Sequence, residues 1–408
     1  MPLNRRFLAI GGFALLLIFG LLVGTGVIPG FKRSVVKTEI TIWGFDNPSV
    51  WSDITSGYHS ANPAITVKYV QLSPEEYENL LVNGLATGQG PDIFMIGNAW
   101  LPKHGNKLAP APADIVSYAQ ADSLFPAAVM QDFTANGAVY ALPLYMDTLG
   151  LIYNKDIFDA KGVALPPSNW LTFQELVRKL GKGSAAIGGT NRTMQNAADI
   201  VSVLMMQAGA PMVETDGRTS FRGGEDGLAF YAKFADPRSS YYTWDDRLPA
   251  DIERFAQGSL PMMFGYHGDV SAIRRANPAL RVGTSPMLQS SGAPLTIPSY
   301  AGLAVWSQSR NQAVAWAFIR DLTTVPENAM AYANAIGEPA ALRATASAYA
   351  NDPLMRAFAG QLLTARSWPR ADENTARSIL SAMIESVTSG LKSADQAAQE
   401  AANRLNGL

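Results

Sequence analysis

The sequence predicts an α/β protein of two lobes, each a mostly parallel sheet flanked by helices. Three observations lead there: strand and helix patterns alternate from the start of the apolar periodicity, the pattern changes character after residue 140 and a second set of elements follows, and the chain is too long for one ordinary domain. With 408 residues, 48% of them hydrophobic and only 16% charged, it can bury a large core. A net charge of −2, from 32 basic and 34 acidic residues that form no basic stripe, argues against a nucleic-acid partner. The absence of cysteine excludes disulfides, thiolate metal sites, a cysteine nucleophile and a lipid-modified amino-terminal cysteine.

Taken in order, the chain opens with Arg5 and Arg6 ahead of Leu8 to Ile28, 21 residues without a charge. About 20 apolar residues cross a bilayer as a helix, and Gly24-Thr25-Gly26 poorly matches a small-x-small cleavage site. The expectation is therefore a cytoplasmic stub, an uncleaved transmembrane signal anchor and a tether over residues 1–34, with positive charge holding the amino terminus inside. The rest would be extracytoplasmic, periplasmic or extracellular, on a single-pass cell-membrane protein.

From Glu39 the pattern reads βαβαβ. Ile40 to Phe45 is a strand, Asn47-Pro48 starts a helix, and Ile65, Val67 and Tyr69 alternate as a second strand. Ser73-Pro74-Glu75-Glu76 reads as a capping box before Tyr77, Leu80, Leu81 and Leu85. Gly90-Pro91-Asp92 then introduces Ile93 to Ile96, a run of four apolar residues expected to be covered on both faces. Trp100 follows that strand's carboxyl end, where ligands of parallel α/β sheets sit. Ala141 to Tyr145 and Gly150 to Tyr153 are extended, and Thr172-Phe173-Gln174-Glu175 is a second capping box. Strands near Ser184 to Ile187, Leu260 to Phe264 and Leu280 to Thr284 follow, with helices around Ile200 to Met205 and Glu225 to Ala235. The span from 371 to 406 reads as helical, with a fresh start at Ser393-Ala394-Asp395-Gln396.

Catalytic patterns are poor. His59, His104 and His267 are too far apart for a metal motif on one helix, and no Gly-x-Ser-x-Gly elbow occurs. Gly181-Lys182-Gly183-Ser184-Ala185-Ala186 follows a helix and precedes a strand, the reverse of a dinucleotide site. Asp245-Asp246 is an adjacent carboxylate pair on a polar connection, where solvated turns are the default. The reading is a non-enzyme with no cofactor and no metal.

Several stretches, in this order, carry a family likeness: Thr41-Ile42-Trp43-Gly44-Phe45, Ala86 to Ile93, Leu142-Pro143-Leu144-Tyr145, Leu151-Ile152-Tyr153-Asn154-Lys155-Asp156-Ile157-Phe158, Phe255 to Gly265, and Gly337-Glu338-Pro339-Ala340. From about Thr38 to Leu405 the chain resembles the extracellular solute-binding proteins of bacterial ABC importers, in the carbohydrate-binding group that includes maltose-binding protein. The resemblance implies a periplasmic-binding-protein-like (type II) fold, with residues 35–146 plus 302–345 as one lobe and 147–301 plus 346–408 as the other. It implies a monomer that closes on a mono- or oligosaccharide by hinge motion and delivers it to permease subunits. A polyamine-like solute is the alternative ligand, and a carbohydrate-active enzyme the alternative class.

The same likeness marks site residues. Asp147 matches an acidic residue that accepts hydrogen bonds from ligand hydroxyls; capping local backbone is the other reading. Asp46 and Asn47 end the first strand, where a polar ligand contact often sits, although Asn47 also suits a helix cap. Trp100 is either a stacking platform or packing. Tyr266 and His267 stand where relatives read Gly-Pro-Trp, and Tyr266 is favoured for the cleft. Trp244, in an aromatic cluster, either faces the cleft or packs between lobes. Asn191, in Asn191-Arg192-Thr193, ends a second-lobe strand and offers an amide to hydroxyls or lies in a solvated turn. Trp306 is read as core, and Trp368 opens the region of the final helices.

Overall fold

A computed structural model describes residues 37–290, 292–370 and 372–408. The expected anchor over residues 1–34 lies outside the described residues, and among these no helix is long and apolar enough to cross a membrane.

Two sheets organise two hydrophobic clusters. The first has six strands: β1 (Thr38–Gly44), β2 (Ile65–Gln71), β3 (Ile93–Gly97), β4 (Leu108–Ala109), β5 (Ala141–Pro143) and β12 (Ala301–Trp306), in the order β2-β1-β3-β12-β4 with β5 also on β12. The second has four: β7 (Gly150–Asn154), β8 (Ala185–Ala186), β9 (Met262–Gly265) and β10 (Val282–Pro286), ordered β8-β9-β7-β10. Between them, β6 (Asp147–Thr148) pairs antiparallel with β11 (Pro298–Ser299).

The expectation of mostly parallel sheets needs correction. β1 runs parallel to β2 and β3, but β12 is antiparallel to β3, β4 and β5. In the second sheet only β8 and β9 are parallel, and β7 is antiparallel to both its neighbours. The reason is connectivity: a parallel neighbour needs a crossover of a dozen or more residues, whereas β7 and β12 enter their sheets straight from β6 and β11.

Local expectations fare unevenly for identifiable reasons. Ile93, Phe94, Met95 and Ile96 are fully buried, as a strand covered on both faces requires. Helix Pro48–Ala61 begins with Asn47 Oδ1 accepting from the Ser49 N–H at 3.0 Å. The Ser73 box is not formed: Ser73 Oγ donates to Glu75 instead, and the helix spans Tyr77–Ala86. The helix expected from Thr172 starts earlier, at Trp170, because Asn169 is the cap and Thr172 the third residue of its box. Ser393 caps Ala394–Leu405 as read.

At the crossing, three segments meet. Leu144 N–H donates to Ala301 O at 2.9 Å, Leu149 N–H to Ile297 O at 3.0 Å, and Met146 N–H to Pro339 O at 3.0 Å. A small cluster of Ala333, Ala340, Tyr349, Met355 and Ala359 braces the third segment. With only short backbone pairings between two large cores, bending is cheapest here.

Candidate functional site

Carboxyl ends of β1 and β3 form one wall. Phe45 and Trp100 line a cavity of about 360 Å³ together with Tyr77, Glu78 and Lys103, and it is closed from the far side by Glu373 and Asn374 of helix Glu373–Thr388. Trp100 is half-buried, its ring 6.1 Å from Tyr77 and 5.1 Å from His104. Gly97 makes room for it: a Cβ there would lie 3.2 Å from the indole. Lys103 Nζ pairs with Glu78 Oε1 at 2.6 Å and with Asp372, the cap of the opposing helix. The lysine hydrogen bond holds the Asp372 carboxyl down to about 2.

Asp46 is turned inward rather than toward a ligand. Its Oδ2 accepts from Tyr332 Oη at 2.6 Å and Trp51 Nε1 at 3.2 Å, and burial raises its pKa despite them. Asn47 is exposed and serves as the helix cap, one of the two roles the sequence offered for it.

The second wall comes from the ends of β8 and β9. A cavity of about 550 Å³ is lined by Asn191, Asn196, Asp251, Tyr266 and Arg377, with Ser299 of β11 beside them. Tyr266 Oη donates to Asp199 Oδ2 at 3.1 Å, and Arg377 bridges Asp199 Oδ2 and Glu373 Oε1, each at 2.8 Å. Asp199 raises the Arg377 pKa further. Asn191 Nδ2 donates to Gln195 O at 3.0 Å, while its Oδ1 is buried without a partner. Asp251 Oδ1 accepts from the Ile252 N–H at 2.8 Å and Oδ2 has no partner; burial pushes this carboxyl up to about 6. Helix Glu373–Thr388 thus stands between the cavities, its first residues facing one and Arg377 the other.

Trp244 belongs to neither wall. It is fully buried in the second core, with Nε1 donating to Thr193 Oγ1 at 3.2 Å and the Arg254 guanidinium 5.4 Å from its ring. Its place in the cleft is corrected to packing, since a ring this size between polar flanks still gains most by burial. Trp306 and Trp368 are buried as well.

Asp147 and His267 meet at the crossing. Asp147 Oδ1 accepts from the Thr148 N–H at 2.7 Å and Oδ2 from the Gly268 N–H at 3.2 Å. Burial, then the Glu338 carboxyl, pushes its pKa well above the usual range. His267 Nδ1 is 3.8 Å from Glu338 Oε2, and neither atom has a hydrogen-bond partner. Structure therefore unites Asp147 with His267, and Tyr266 with Asn191, while Trp100 and Asp46 stand on the first lobe and Asn47 and Trp244 fall outside. Sequence reading passed over Arg377, Asp251 and Glu338. Glu338 sits in the Gly-Glu-Pro-Ala stretch already singled out, but nothing local distinguishes Arg377 or Asp251 from ordinary helical charges.

With this geometry in hand, comparison with known proteins is informative. A family model described as "Bacterial extracellular solute-binding protein" matches residues 54–357. The maltotriose-binding protein of Pyrococcus abyssi (strain GE5 / Orsay) is 23% identical over 303 residues, covering 71% of this chain and 63% of that protein. The cyclic alpha-maltosyl-1,6-maltose binding protein from Arthrobacter globiformis superposes with a TM-score of 0.78 at 18% identity, over 90% of this chain and 98% of that one. UgpB from Mycobacterium tuberculosis, solved in complex with glycerophosphocholine, superposes with a TM-score of 0.72 at 18% identity, over 90% and 97%. The structural likeness establishes the two-lobed fold.

Proposed function

Since the chain belongs to the bacterial extracellular solute-binding proteins, we propose that it captures a carbohydrate between its lobes, leaves it chemically unchanged and delivers it to the permease subunits of an ABC importer. The observation that carries this reading is the pair of cavities at strand carboxyl ends of opposite sheets, one walled by Trp100 and Phe45, the other by Asn191, Asp251, Tyr266 and Arg377. A pyranose needs both kinds of wall: rings for its C–H face, and amide, carboxylate or guanidinium groups for its hydroxyls. The curated relative that binds maltotriose supports the same class. A polyamine, the alternative, would meet Arg192 and Arg377 in the larger cavity.

A thermal-shift screen tests this. Maltotriose, smaller sugars, mannitol, glycerophosphocholine and spermidine are offered to the protein. A ligand that binds only the folded form adds about 2.7 kcal/mol at a hundredfold excess over its dissociation constant. A shift with saccharides, and chromatography showing the saccharide unaltered, is the expected result; a shift with spermidine alone overturns the sugar assignment, and new products overturn the receptor reading.

Residues 1–34 are read as the membrane tether of a monomer. Protein isolated from cells should begin at the original amino terminus; a mature chain starting past Gly26 removes the anchor.

A further inference from the structure

On the second lobe, two side chains that line the larger cavity are tied to one buried oxygen. Tyr266 follows β9 and opens helix His267–Ala276, its own N–H donating to Asp269 Oδ2 at 2.9 Å. Arg377 comes from helix Glu373–Thr388. Asp199 lies in the first turn of a third element, helix Ala197–Ala208, and is 2% exposed. Its Oδ2 accepts from Tyr266 Oη at 3.1 Å and from Arg377 Nη2 at 2.8 Å, while Arg377 Nε donates to Glu373 Oε1 at 2.8 Å. Tyr266 and Arg377 face the cavity of about 550 Å³, with Asp199 behind them.

This arrangement fixes the direction of the hydrogens. A phenol has one hydrogen, and a carboxylate has none to give. With its hydrogen on Asp199, Tyr266 Oη can only accept from the cavity. Burial and then the Asp199 charge raise its pKa well above the usual 10, so the phenol stays neutral and keeps that hydrogen. Arg377 is the opposite case. A guanidinium has N–H donors in excess of the two bonds to Asp199 and Glu373 and no acceptor, so toward the cavity it can only donate. Because both groups hold the same oxygen, they lie no farther apart than these two bonds laid end to end, a span that neighbouring hydroxyls of one sugar ring can bridge. A purely structural ion pair between two helices would account for Arg377, but not for the phenol turned to the same oxygen.

We propose that Asp199 is a positioning residue that sets the hydrogen-bonding sense of the second wall, with Tyr266 accepting from one hydroxyl of the ligand and Arg377 donating to its neighbour. The inference rests on the carbohydrate reading given above and narrows it to neutral solutes that carry adjacent hydroxyls. A carboxylate suits Arg377 but brings no hydrogen for Tyr266. An ammonium group brings the hydrogen but offers Arg377 no acceptor and is repelled by its charge. A pair of hydroxyls serves both. Asp199 itself touches no ligand and acts through the two groups it holds.

The test uses the full chain with its tyrosines labelled by carbon-13 at Cζ, in equal parts of light and heavy water. A phenol hydrogen held on a buried carboxylate exchanges slowly, and the Cζ resonance then splits into one line for the protonated and one for the deuterated form. The Tyr266 resonance, identified by its absence in Tyr266→Phe, should be split in the wild type and in Arg377→Met, and should merge in Asp199→Leu. In parallel, calorimetry compares maltotriose with each of its single deoxyfluoro derivatives, in which fluorine replaces a hydrogen donor. One derivative should bind the wild type roughly 2- to 10-fold more weakly than maltotriose and lose that penalty in Tyr266→Phe. Tyr266→Phe leaves the pair of Asp199 with Arg377 whole, so the wild type and this variant decide the matter even if Asp199→Leu does not fold. An unsplit wild-type resonance, splitting that persists in folded Asp199→Leu, or fluorine penalties that all survive Tyr266→Phe would overturn the proposal. If maltotriose does not bind at all, it is the carbohydrate reading that fails for this sugar, while the resonance, which needs no ligand, still decides where the hydrogen lies.

Discussion

The two cavities offer a ligand different things. At the ends of β1 and β3 the wall is ring surface, Trp100 and Phe45 with Tyr77 behind, and its lysine is already held by Glu78 and Asp372. At the ends of β8 and β9 the wall is polar: Arg377 is committed to Asp199 and Glu373, while Asn191 Oδ1 and Asp251 Oδ2 lack partners. Ring contact asks nothing of a ligand except an apolar face, so it supplies affinity with little discrimination. Amide, carboxylate and guanidinium groups bond only partners placed in set directions, so the second wall rewards a well-placed hydroxyl and penalises its absence. In the proposed receptor, capture would thus be divided between an adhesive lobe and a selective one.

The sharpest test of that division contrasts two tryptophans. Trp244→Ala, in the second core, should cost about 3–5 kcal/mol of unfolding free energy by urea denaturation. Trp100→Ala should leave stability nearly intact and instead weaken ligand binding by about 0.5–1.5 kcal/mol, read by calorimetry with whichever saccharide passes the screen. Equal stability losses for the two would show that Trp100 is packing, and the adhesive wall would disappear.

What was legible in the residues follows the range of the interactions that decide it. Ile93 to Ile96 is buried on both faces by its own composition, and Asn47 caps with a partner two residues away; such local features are readable. Strand direction in β7 and β12 depends on chain arriving from the other lobe, and period-two alternation carries no sign of it. Trp100 lies between Ala99 and Leu101 and Trp244 between Thr243 and Asp245, yet the one with polar neighbours is the one fully buried, so their fates are set by what packs from elsewhere. His267 and Glu338, 3.8 Å apart in the fold, are far apart in sequence, and a carboxylate in a Gly-Glu-Pro turn reads as surface until the fold buries it where the chain crosses between the sheets.

Asp147→Ala probes the hinge between the walls. It removes the acceptor for two N–H groups, so a loss of about 1–3 kcal/mol in stability is expected near pH 6, together with weaker ligand binding. Unchanged affinity in a folded variant would confine Asp147 to a structural role. On the selective wall, Asn191→Ala should reduce saccharide affinity by about 1 kcal/mol with stability held, because the oxygen it deletes has no partner within the protein. A variant that binds equally well would place the ligand's hydroxyls elsewhere.

The smallest effect belongs to Lys103, which reaches from the ring-lined wall to the opposing helix cap. The pair with Asp372 is partly open to solvent, its side chains 39% and 24% exposed, so screening leaves it about 0.5 kcal/mol or less. Its sign is nonetheless distinctive. The Asp372 carboxyl titrates at about 2 in the fold against 3.8 when free, so its contribution is present above about 3.8 and vanishes as pH falls through about 2. Lys103→Met should therefore narrow the difference between neutral and acid stability, and added salt should erase most of it. If Lys103→Met instead altered stability at neutral and acid pH alike and was indifferent to salt, the lysine would be acting through its methylene packing, and the ring-lined wall would have no electrostatic link to the selective one.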